Sequence, residues 1–419
     1  MQIIIFSPLL TPRIKYIFNF ILSAILKAEV EFTVNSTYFS QSEKVRVSYA
    51  DKPLSDELFF KNTALLLSNK VEELKLKTVP FGDYHVPFPV DGSLLPFDVF
   101  AASFFILSRY EEYLHKNKSE DIFTPKDSLQ YKWKILERPI IDEWALLLKN
   151  MIRKKYPSFK FQEKTFHHQS TINFTLKPDV PSGFFPKTKF IFSSVFDKRQ
   201  QFLSSVFDEF TGIAVNHERT INELSETNPK NQPVYFINFP QDDKNRLNFK
   251  NSALFLKEKQ IGLLRPYTIN KEQSTMLKAD LLKLGKIQDS AIDIRTQQLE
   301  LLKLPTCYLH LLSAGIISDY SMGYSDKVGF RAGTCTPFNW YDLQLNKVTP
   351  IEVKSYSISD TAIHYQPVDD AIKTIKDIID AVKLVDGYFY SSWKLKNLSE
   401  NSKFKKWKAV FNEMIKYAG

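Results

Sequence analysis

The stretch DKVGFRAGTCTPFNWYDL, from Asp326 to Leu343, carries the most specific pattern in this 419-residue chain. It sets Arg331 among small residues, with two nearby glycines and a dense aromatic cluster behind it. Burying a charged side chain costs free energy unless the charge is paired. Packing alone therefore does not explain an arginine in such surroundings. The pattern therefore favours the wall of a binding or catalytic site over an ordinary core segment.

Length and composition predict a globular protein of two domains. A chain of 419 residues is long for one domain, and 43% hydrophobic with 14% aromatic residues is enough for substantial cores. The 35 Phe and 19 Tyr residues are many for this length. Some of them can form core, and others can offer flat faces to the apolar faces of sugar rings.

The net charge of +9 does not by itself indicate a nucleic-acid-binding protein. Lysines are scattered, and the densest group, Ser402–Phe411, is typical of the polar face of a terminal helix. The apolar stripe of that helix would consist of Phe404, Trp407, Val410 and Phe411. We therefore expect no nucleic-acid partner.

The cysteines and the N-terminus bear on the cellular compartment. Cys307 and Cys335 form neither a disulfide framework nor a metal-binding spacing. The N-terminal sequence MQIIIFSPLL lacks a basic region and a small-residue cleavage site, so it predicts a strand and not a signal peptide. The apolar run Ile17–Leu26 is too short to span a bilayer. We expect no membrane span, and a cytoplasmic location follows as the default.

Residues 1–166 predict an N-terminal α/β domain. A strand over IIIF precedes a helix that opens with Thr11 as N-cap and Pro12 at its first position, and two alternating strands follow. A long helix over 97–116 is apolar on nearly all faces until Ser108, so its first half should be buried and its charged end exposed. A further helix over 140–156 closes this domain.

Residues 170–419 alternate between strand and helix patterns. Strands are predicted over 170–176, 232–239, 259–267, 290–295, 327–333, 349–358 and 385–393. Helices are predicted over 271–284, 297–314 and 369–385. This alternation predicts a parallel α/β arrangement, here a barrel or broken barrel, whose functional residues follow the carboxyl ends of strands.

The block from Leu304 to Leu343, with the upstream helix sequence FDVFAASFFILSRYEEYL, resembles polysaccharide-deacetylase-like proteins of a Bacteroidetes group. The similarity covers most of the chain and is densest between Leu304 and Asp360, where DYSMGY and GFRAGT are the specific strings. The resemblance implies an N-terminal α/β domain followed by a distorted (β/α) barrel of the polysaccharide deacetylase type.

The resemblance also implies a reaction. Active members of the family hold a divalent metal such as zinc with one Asp and two His, activate its water with a second Asp, and protonate the leaving amine with a late His. The matching positions in this chain are Asn173, Thr175, Leu264, Gln298 and Lys394. An amide cannot take a proton from water at neutral pH, and Thr is a poor metal ligand. We therefore expect these positions to be catalytically degenerate, with no metal or other cofactor.

Other residues do not readily rebuild that site. His167 and His168 precede the first strand of the second domain, and His310 lies mid-helix, where packing is the usual role. His364 is the histidine expected near the barrel mouth, but one histidine cannot replace several ligands. Asp179 fits either a cation ligand or a turn.

The residues that would shape a ligand cleft are retained. Arg331 has lost the carboxylate that it pairs with in the family, so we expect Asp319 or Asp360 to hold it, either as a buried structural ion pair or within a ligand site. Further candidates for ligand binding, with core packing as the alternative for the aromatic ones, are Tyr320, Tyr324, Phe338, Trp340, Trp393 and His364.

Three hypotheses about function follow. The first is a pseudoenzyme that binds a glycan or a protein partner through the old active-site cleft, because both carboxylates and all expected histidines are replaced together. The second is a hydrolase with a relocated site built from Asp179, Asp319, Asp360 and His364. The third is a scaffold or assembly protein that acts through its N-terminal domain.

Overall fold

The structure is a computed structural model that describes residues 2–115, 123–176, 216–227, 231–240, 249, 253–265, 271–287, 293–296, 304–400 and 405–419. The chain forms two compact units. The first unit comprises Met1–His167, Leu299–Ile358 and Asp377–Tyr390, and the second comprises His168–Gln298, Ser359–Lys376 and Ser391–Gly419. Contacts therefore group two later segments with the N-terminal residues. The division into sequence domains 1–166 and 170–419 stays a prediction.

The strands, numbered along the chain, are β1 Ile3–Phe6, β2 Val30–Thr33, β3 Val45–Ala50, β4 Leu58–Lys61, β5 Thr78–Phe81, β6 Tyr84–Pro87, β7 His167–Thr175, β8 Val234–Asn238, β9 Gln260–Arg265, β10 Asp293–Thr296, β11 Ser318–Asp319, β12 Phe338–Asp342, β13 Lys347–Val353, β14 Ile358–Ser359 and β15 Tyr388–Lys394.

The α-helices are α1 Pro12–Phe18, α2 Ser36–Gln41, α3 Ala64–Leu67, α4 Val99–Leu107, α5 Tyr110–Leu114, α6 Leu129–Lys132, α7 Ile140–Lys155, α8 His217–Thr227, α9 Lys271–Gly285, α10 Thr306–Ser313, α11 Asp360–Ile363, α12 Val368–Lys383 and α13 Lys405–Ala418. A π-helix spans Asn19–Ile25, and short 3₁₀ helices span Leu254–Leu256 and Leu395–Leu398.

The N-terminal part of the first unit is built on a parallel sheet in the order β2-β1-β3-β4. β1 pairs with β2 on one side and with β3 on the other, and all four of its side chains are buried. A central parallel strand is covered on both faces, which is why it reads as the continuous apolar run IIIF. Thr11 caps α1 by accepting from the backbone N–H of Ile14, with Pro12 at the first helical position, as predicted.

The prediction of one long helix over 97–116 is wrong, because the structure contains two helices there. α4 is buried along its whole length, and α5 follows after a break at Arg109, whose φ of 55° is left-handed. The Ser108 hydroxyl donates back to the Phe104 carbonyl at 2.7 Å and so helps to end the first helix. The charged segment after the break is also not exposed, since Arg109 and Glu112 are both buried.

The strand predicted over 327–333 is also wrong. This segment consists of turns and bends, with φ of 142° at Gly329 and 67° at Gly333. A Cβ atom at Gly333 would lie 2.4 Å from Ile106 Cγ2, so the loop needs glycine both for its backbone conformation and for close packing. The later part of this unit contains the antiparallel pair β12–β13, and β11 lies parallel to β13.

The second unit contains four parallel strands in the order β10-β9-β8-β7, with β15 beside β7. The helices predicted over 271–284 and 369–385 correspond to α9 and α12. The predicted helix over 297–314 is represented by α10, and its first residues lie outside the described part of the chain, as does Phe404 of the terminal helix.

Parallel sheets with helices between their strands confirm the α/β class. The finer prediction of a distorted barrel stays a prediction. Among the described residues, no helix is long and apolar enough to cross a membrane.

Candidate functional site

Three side chains lie at one level at the carboxyl ends of strands in the second unit, and a fourth lies two residues before that level. Thr175 on β7 is in register with Asn238 on β8. Ile237 is in register with Leu263, so the next residue on β9, Leu264, continues the same row. Side chains at one level of a parallel sheet point to the same face, and so does the residue two positions earlier, Asn173. We call Asn173, Thr175, Asn238 and Leu264 the strand-end row.

The strand-end row consists of neutral groups. The Asn173 side-chain amide donates to Ser392 Oγ at 3.2 Å, and the Asn238 amide approaches Thr175 Oγ1 at 3.5 Å. The Asn173 Oδ1 atom is buried and has no hydrogen-bond partner within the described part of the chain. Leu264 is 2% exposed and offers no lone pair. The row can therefore donate and accept hydrogen bonds, but none of its side chains can accept a proton from a water molecule at neutral pH.

Lys394 ends β15 and contacts Asp360 through its backbone. The Asp360 Oδ2 atom accepts from the Lys394 N–H at 2.8 Å and from the Asn397 side-chain amide at 2.7 Å. Asp360 is buried at the start of α11, where Ser359 is the N-cap. This carboxylate joins the end of β15 to the following 3₁₀ helix, which is a structural role.

The other predicted residues of the second unit lie in two further places. Trp393 is fully buried and packs edge-on against Phe411, while exposed His364 stacks on Trp407 with ring centroids 5.1 Å apart. His168 is at the amino end of β7, away from the strand-end row, and burial lowers its pKa to about 4. Asp179 and Gln298 lie outside the described residues.

No group of three or more His, Cys, Asp and Glu side chains within the described ranges is arranged to hold a metal ion. A structural or catalytic metal site in proteins needs several such ligands around one point.

Arg331 lies in the first unit and is bound by a carboxylate other than the two expected from the sequence. Its Nε and Nη2 atoms donate to the two oxygens of Glu112 at 2.9 and 2.7 Å. The guanidinium also donates to the Gly323 carbonyl at 3.2 Å and lies 5.0 Å from the centre of the Tyr324 ring. Such a two-bond pair fits the planar guanidinium, which lysine cannot imitate.

Glu112 accepts hydrogen bonds from two arginines. Arg109 Nε donates to the same carboxylate at 2.7 Å, and its Nη1 donates to Gln130 at 2.7 Å. Burial alone would raise the pKa of Glu112, but Arg331 and Arg109 together lower it below its ordinary value. Arg109, Glu112 and Arg331 are at most 7% exposed. We call these three residues the buried arginine cluster.

The expectation that Asp319 or Asp360 holds Arg331 is therefore corrected. The Asp319 carboxylate accepts hydrogen bonds from the Tyr308 hydroxyl at 2.7 Å and the Ser321 hydroxyl at 2.6 Å. The sequence separation between Arg331 and Glu112 is 219 residues, so no local pattern could have paired them. The sequence signal for Glu112 was its spacing from Arg109, because residues three apart can form an ion pair on one helical turn.

A second missed carboxylate holds the other half of the GFRAGT loop. Asp142, in the first turn of α7, accepts from the Thr334 hydroxyl at 2.6 Å and the Thr336 hydroxyl at 2.5 Å. It also accepts from the Cys335 N–H at 3.1 Å, and its side chain is fully buried. An acidic residue on the apolar face of α7, between Ile141 and Trp144, was the sequence signal for this contact.

The aromatic candidates of the first unit are core residues in this structure. Tyr320, Tyr324, Phe338 and Trp340 are each at most 4% exposed. The Tyr320 hydroxyl accepts from Lys354 Nζ at 3.0 Å, which leaves little of this side chain for a ligand. A role in ligand binding stays a prediction for these residues, and for Tyr320, Tyr324 and Trp340 it would require their present packing to open.

Comparisons with known proteins give a family match over part of the chain and distant structural likenesses. Residues 3–157 match a family of unknown function, DUF7033. The chain is similar to a protein from Mycobacterium smegmatis with a predicted assignment as a polysaccharide deacetylase, at 11% identity and a TM-score of 0.38, over 61% of this chain and 84% of that chain.

A second likeness is to a 4-alpha-glucanotransferase from Thermococcus litoralis, at 14% identity and a TM-score of 0.32, over 61% of this chain and 37% of that chain. No curated protein matches the chain. Both TM-scores are too low to support a conclusion about fold or activity.

Proposed function

We propose that this chain is a polysaccharide-deacetylase-like pseudoenzyme, with a distorted (β/α) barrel in its second part, that binds a glycan or a protein partner. The observation that carries the proposal is the chemistry of the strand-end row. β7 ends on Asn173 and Thr175, where metal-dependent deacetylases of the kind that this sequence resembles carry two carboxylates. A cytoplasmic location is part of the same proposal.

Loss of hydrolysis follows from what these residues can do. A metal-bound water becomes a nucleophile only if several ligands hold the cation and a base accepts the proton. The Asn173 amide cannot act as that base, and Thr175 and Leu264 supply neither charge nor a strong ligand atom. Neutral side chains would not compensate a divalent cation for the loss of its hydration shell.

Glycan binding is supported by the same row. In open α/β sheets, ligands bind outside the carboxyl ends of the strands. Asn173, Thr175, Asn238 and Ser392 present amides and hydroxyls there, and these groups complement the donors and acceptors of sugar hydroxyls. The buried Asn173 Oδ1 atom lacks a hydrogen-bond partner among the described residues, and a sugar hydroxyl would satisfy it once the side chains that cover it open.

The relocated hydrolase of the second hypothesis has less support. Asp319 and Asp360 each accept hydrogen bonds from buried groups of their own unit, and His364 lies on Trp407. Carboxylates held in this way are typical of structural roles. The third hypothesis, assembly through the N-terminal part, is the outcome that remains if no glycan binds.

The proposal is tested by three measurements on full-length protein purified without chelator. We expect metal analysis to find no stoichiometric divalent ion, N-acetylated oligosaccharides to release no acetate, and a glycan array to show binding. Asn173→Ala should weaken that binding. Gln169→Ala, at the amino end of the same strand, is the matched control and should not.

Two results would overturn the proposal in different ways. Stoichiometric metal with acetate release would establish the relocated hydrolase. Absence of glycan binding, together with recovery of a defined protein complex that forms equally well with Asn173→Ala, would favour the assembly role.

A further inference from the structure

A groove of about 700 Å³ lies in the first unit, and none of its described lining residues belongs to the buried arginine cluster. One wall is formed by α1 and the π-helix, including Lys15, Asn19 and Ala24. The opposite wall is formed by the β12–β13 pair, including Phe338 and Lys347. A volume of this size is within the range of about 300–1,000 Å³ that is usual for small-molecule sites.

The walls of the groove have irregular backbone at two places. Asn19–Ile25 is π-helical, with the Leu26 N–H donating to the Ile21 carbonyl at 3.1 Å. π-Helical segments occur frequently at functional sites. The register of the β12–β13 pair shifts between Asn339 and Tyr341, and such irregularities often re-aim side chains beside a site.

The two walls are fixed to each other. The Tyr16 hydroxyl donates to the Asn339 carbonyl at 2.6 Å, and the Tyr16 ring lies 4.8 Å from the Tyr341 ring. Burial, with help from Tyr341 and Tyr113, raises the pKa of Tyr16 well above its ordinary value, so this hydroxyl keeps its proton. The groove is therefore largely formed before any ligand arrives, which reduces the entropy cost of binding.

The described lining of the groove carries charge of one sign. Lys15 and Lys347 are its charged residues, and no Asp or Glu among the residues that the structure describes lines it. Both lysines are exposed, and neither forms an ion pair within residues 2–115 or 304–400. Most of the remaining lining is apolar, as with Leu10, Phe20 and Val348.

We propose that this groove binds a small amphiphilic anion, with its apolar body against apolar lining residues such as Phe20 and Val348 and its carboxylate or phosphate group at Lys15 and Lys347. Unpaired cations beside an apolar surface complement such a molecule in both charge and polarity. The site is separate from the strand-end row, so it does not depend on the proposed pseudoenzyme function.

The test uses matched eight-carbon probes below their micellar concentrations, measured by calorimetry on the full chain. Octanoate and octyl phosphate should bind, and octan-1-ol should bind about tenfold more weakly because it lacks the charge. Lys15→Gln/Lys347→Gln should bring both anions close to the affinity of octan-1-ol. Ala24→Leu, which fills the groove, should weaken all three probes.

Lys52→Gln/Lys75→Gln is the matched control, because it removes two exposed lysines of the same unit that do not line the groove. It should leave all affinities unchanged. Equal affinity for octan-1-ol and octanoate, an equal loss in the control variant, or no binding of either anion would each overturn the proposal. Binding only to vesicles of phosphatidylglycerol would also overturn it, and would indicate a membrane surface instead of a small ligand.

Discussion

Arg331 and Asn173 are both candidate site residues from the sequence, yet their surroundings differ in kind. Arg331 is 1% exposed and gives two hydrogen bonds to Glu112. Asn173 is half-buried and leaves its Oδ1 atom without a partner in the described chain. The buried arginine cluster is satisfied by the protein itself, whereas the strand-end row is not.

The difference shows why a distinctive sequence motif is weak support for a functional site. A buried guanidinium cannot lose its proton, so removing its carboxylate leaves an uncompensated charge, and such residues resist change for structural reasons. A neutral amide at a strand end can change at much smaller cost. Stability should therefore depend strongly on the first region and weakly on the second.

The largest effect is expected for Glu112→Gln, which leaves Arg109 and Arg331 buried without their shared countercharge. The free energy of unfolding should fall by about 3–5 kcal/mol. Chemical denaturation measures this. Glu143→Gln is the matched control, because Glu143 pairs with the partly exposed Arg138 and should cost at most about 1 kcal/mol. Similar losses in both variants would remove the distinction between the cluster and a surface ion pair.

Arg331→Lys should lower the free energy of unfolding by about 1–3 kcal/mol, because lysine keeps the charge but loses the planar two-bond fork. Glycan binding by the folded variant should not change, since Arg331 is buried among protein groups. Thermal unfolding with and without glycan separates the two effects. Unchanged stability with weakened binding would place Arg331 in a ligand site after all.

His168, at the amino end of β7, is expected to make the free energy of unfolding depend on pH. Burial lowers the pKa of His168 to about 4 from an ordinary value of 6.5, so the unfolded chain binds more protons between these two values. Stability should therefore fall as the pH decreases through this window, by about 1–2 kcal/mol between pH 7 and pH 5.

His168→Phe removes this titration. Unfolding curves of the variant at pH 7 and pH 5 should lack the His168 part of the loss. An identical pH dependence in the variant and the wild type would show that His168 is not the group responsible.

The smallest effect is expected for Asn173→Ala. This change removes one hydrogen bond of 3.2 Å to Ser392 and one unsatisfied acceptor, so the free energy of unfolding should change by less than about 1 kcal/mol. Denaturation of the variant beside Arg331→Lys gives the comparison directly. A loss larger than that of Arg331→Lys would mean that the strand-end row is a structural network like the buried arginine cluster.

The sequence by itself determined the local elements whose causes are local. The apolar run of β1, the Thr11–Pro12 start of α1 and the amphipathic α7 were predictable because strand burial, capping and helical periodicity act over a few residues. It also determined that Asn173 and Thr175 end a strand of the second unit, since the pattern of β7 and the position of its end are both visible in the chain.

Only the tertiary structure decided the role of the GFRAGT stretch and the burial and pairing of the charged residues near α5. The break at Arg109 and the turns at Gly329 and Gly333 replace a predicted helix and a predicted strand. They bring Arg331 to Glu112 across 219 residues of sequence. A charge can be buried only where a distant partner compensates it, and the identity of that partner is a property of the folded chain and not of any local pattern.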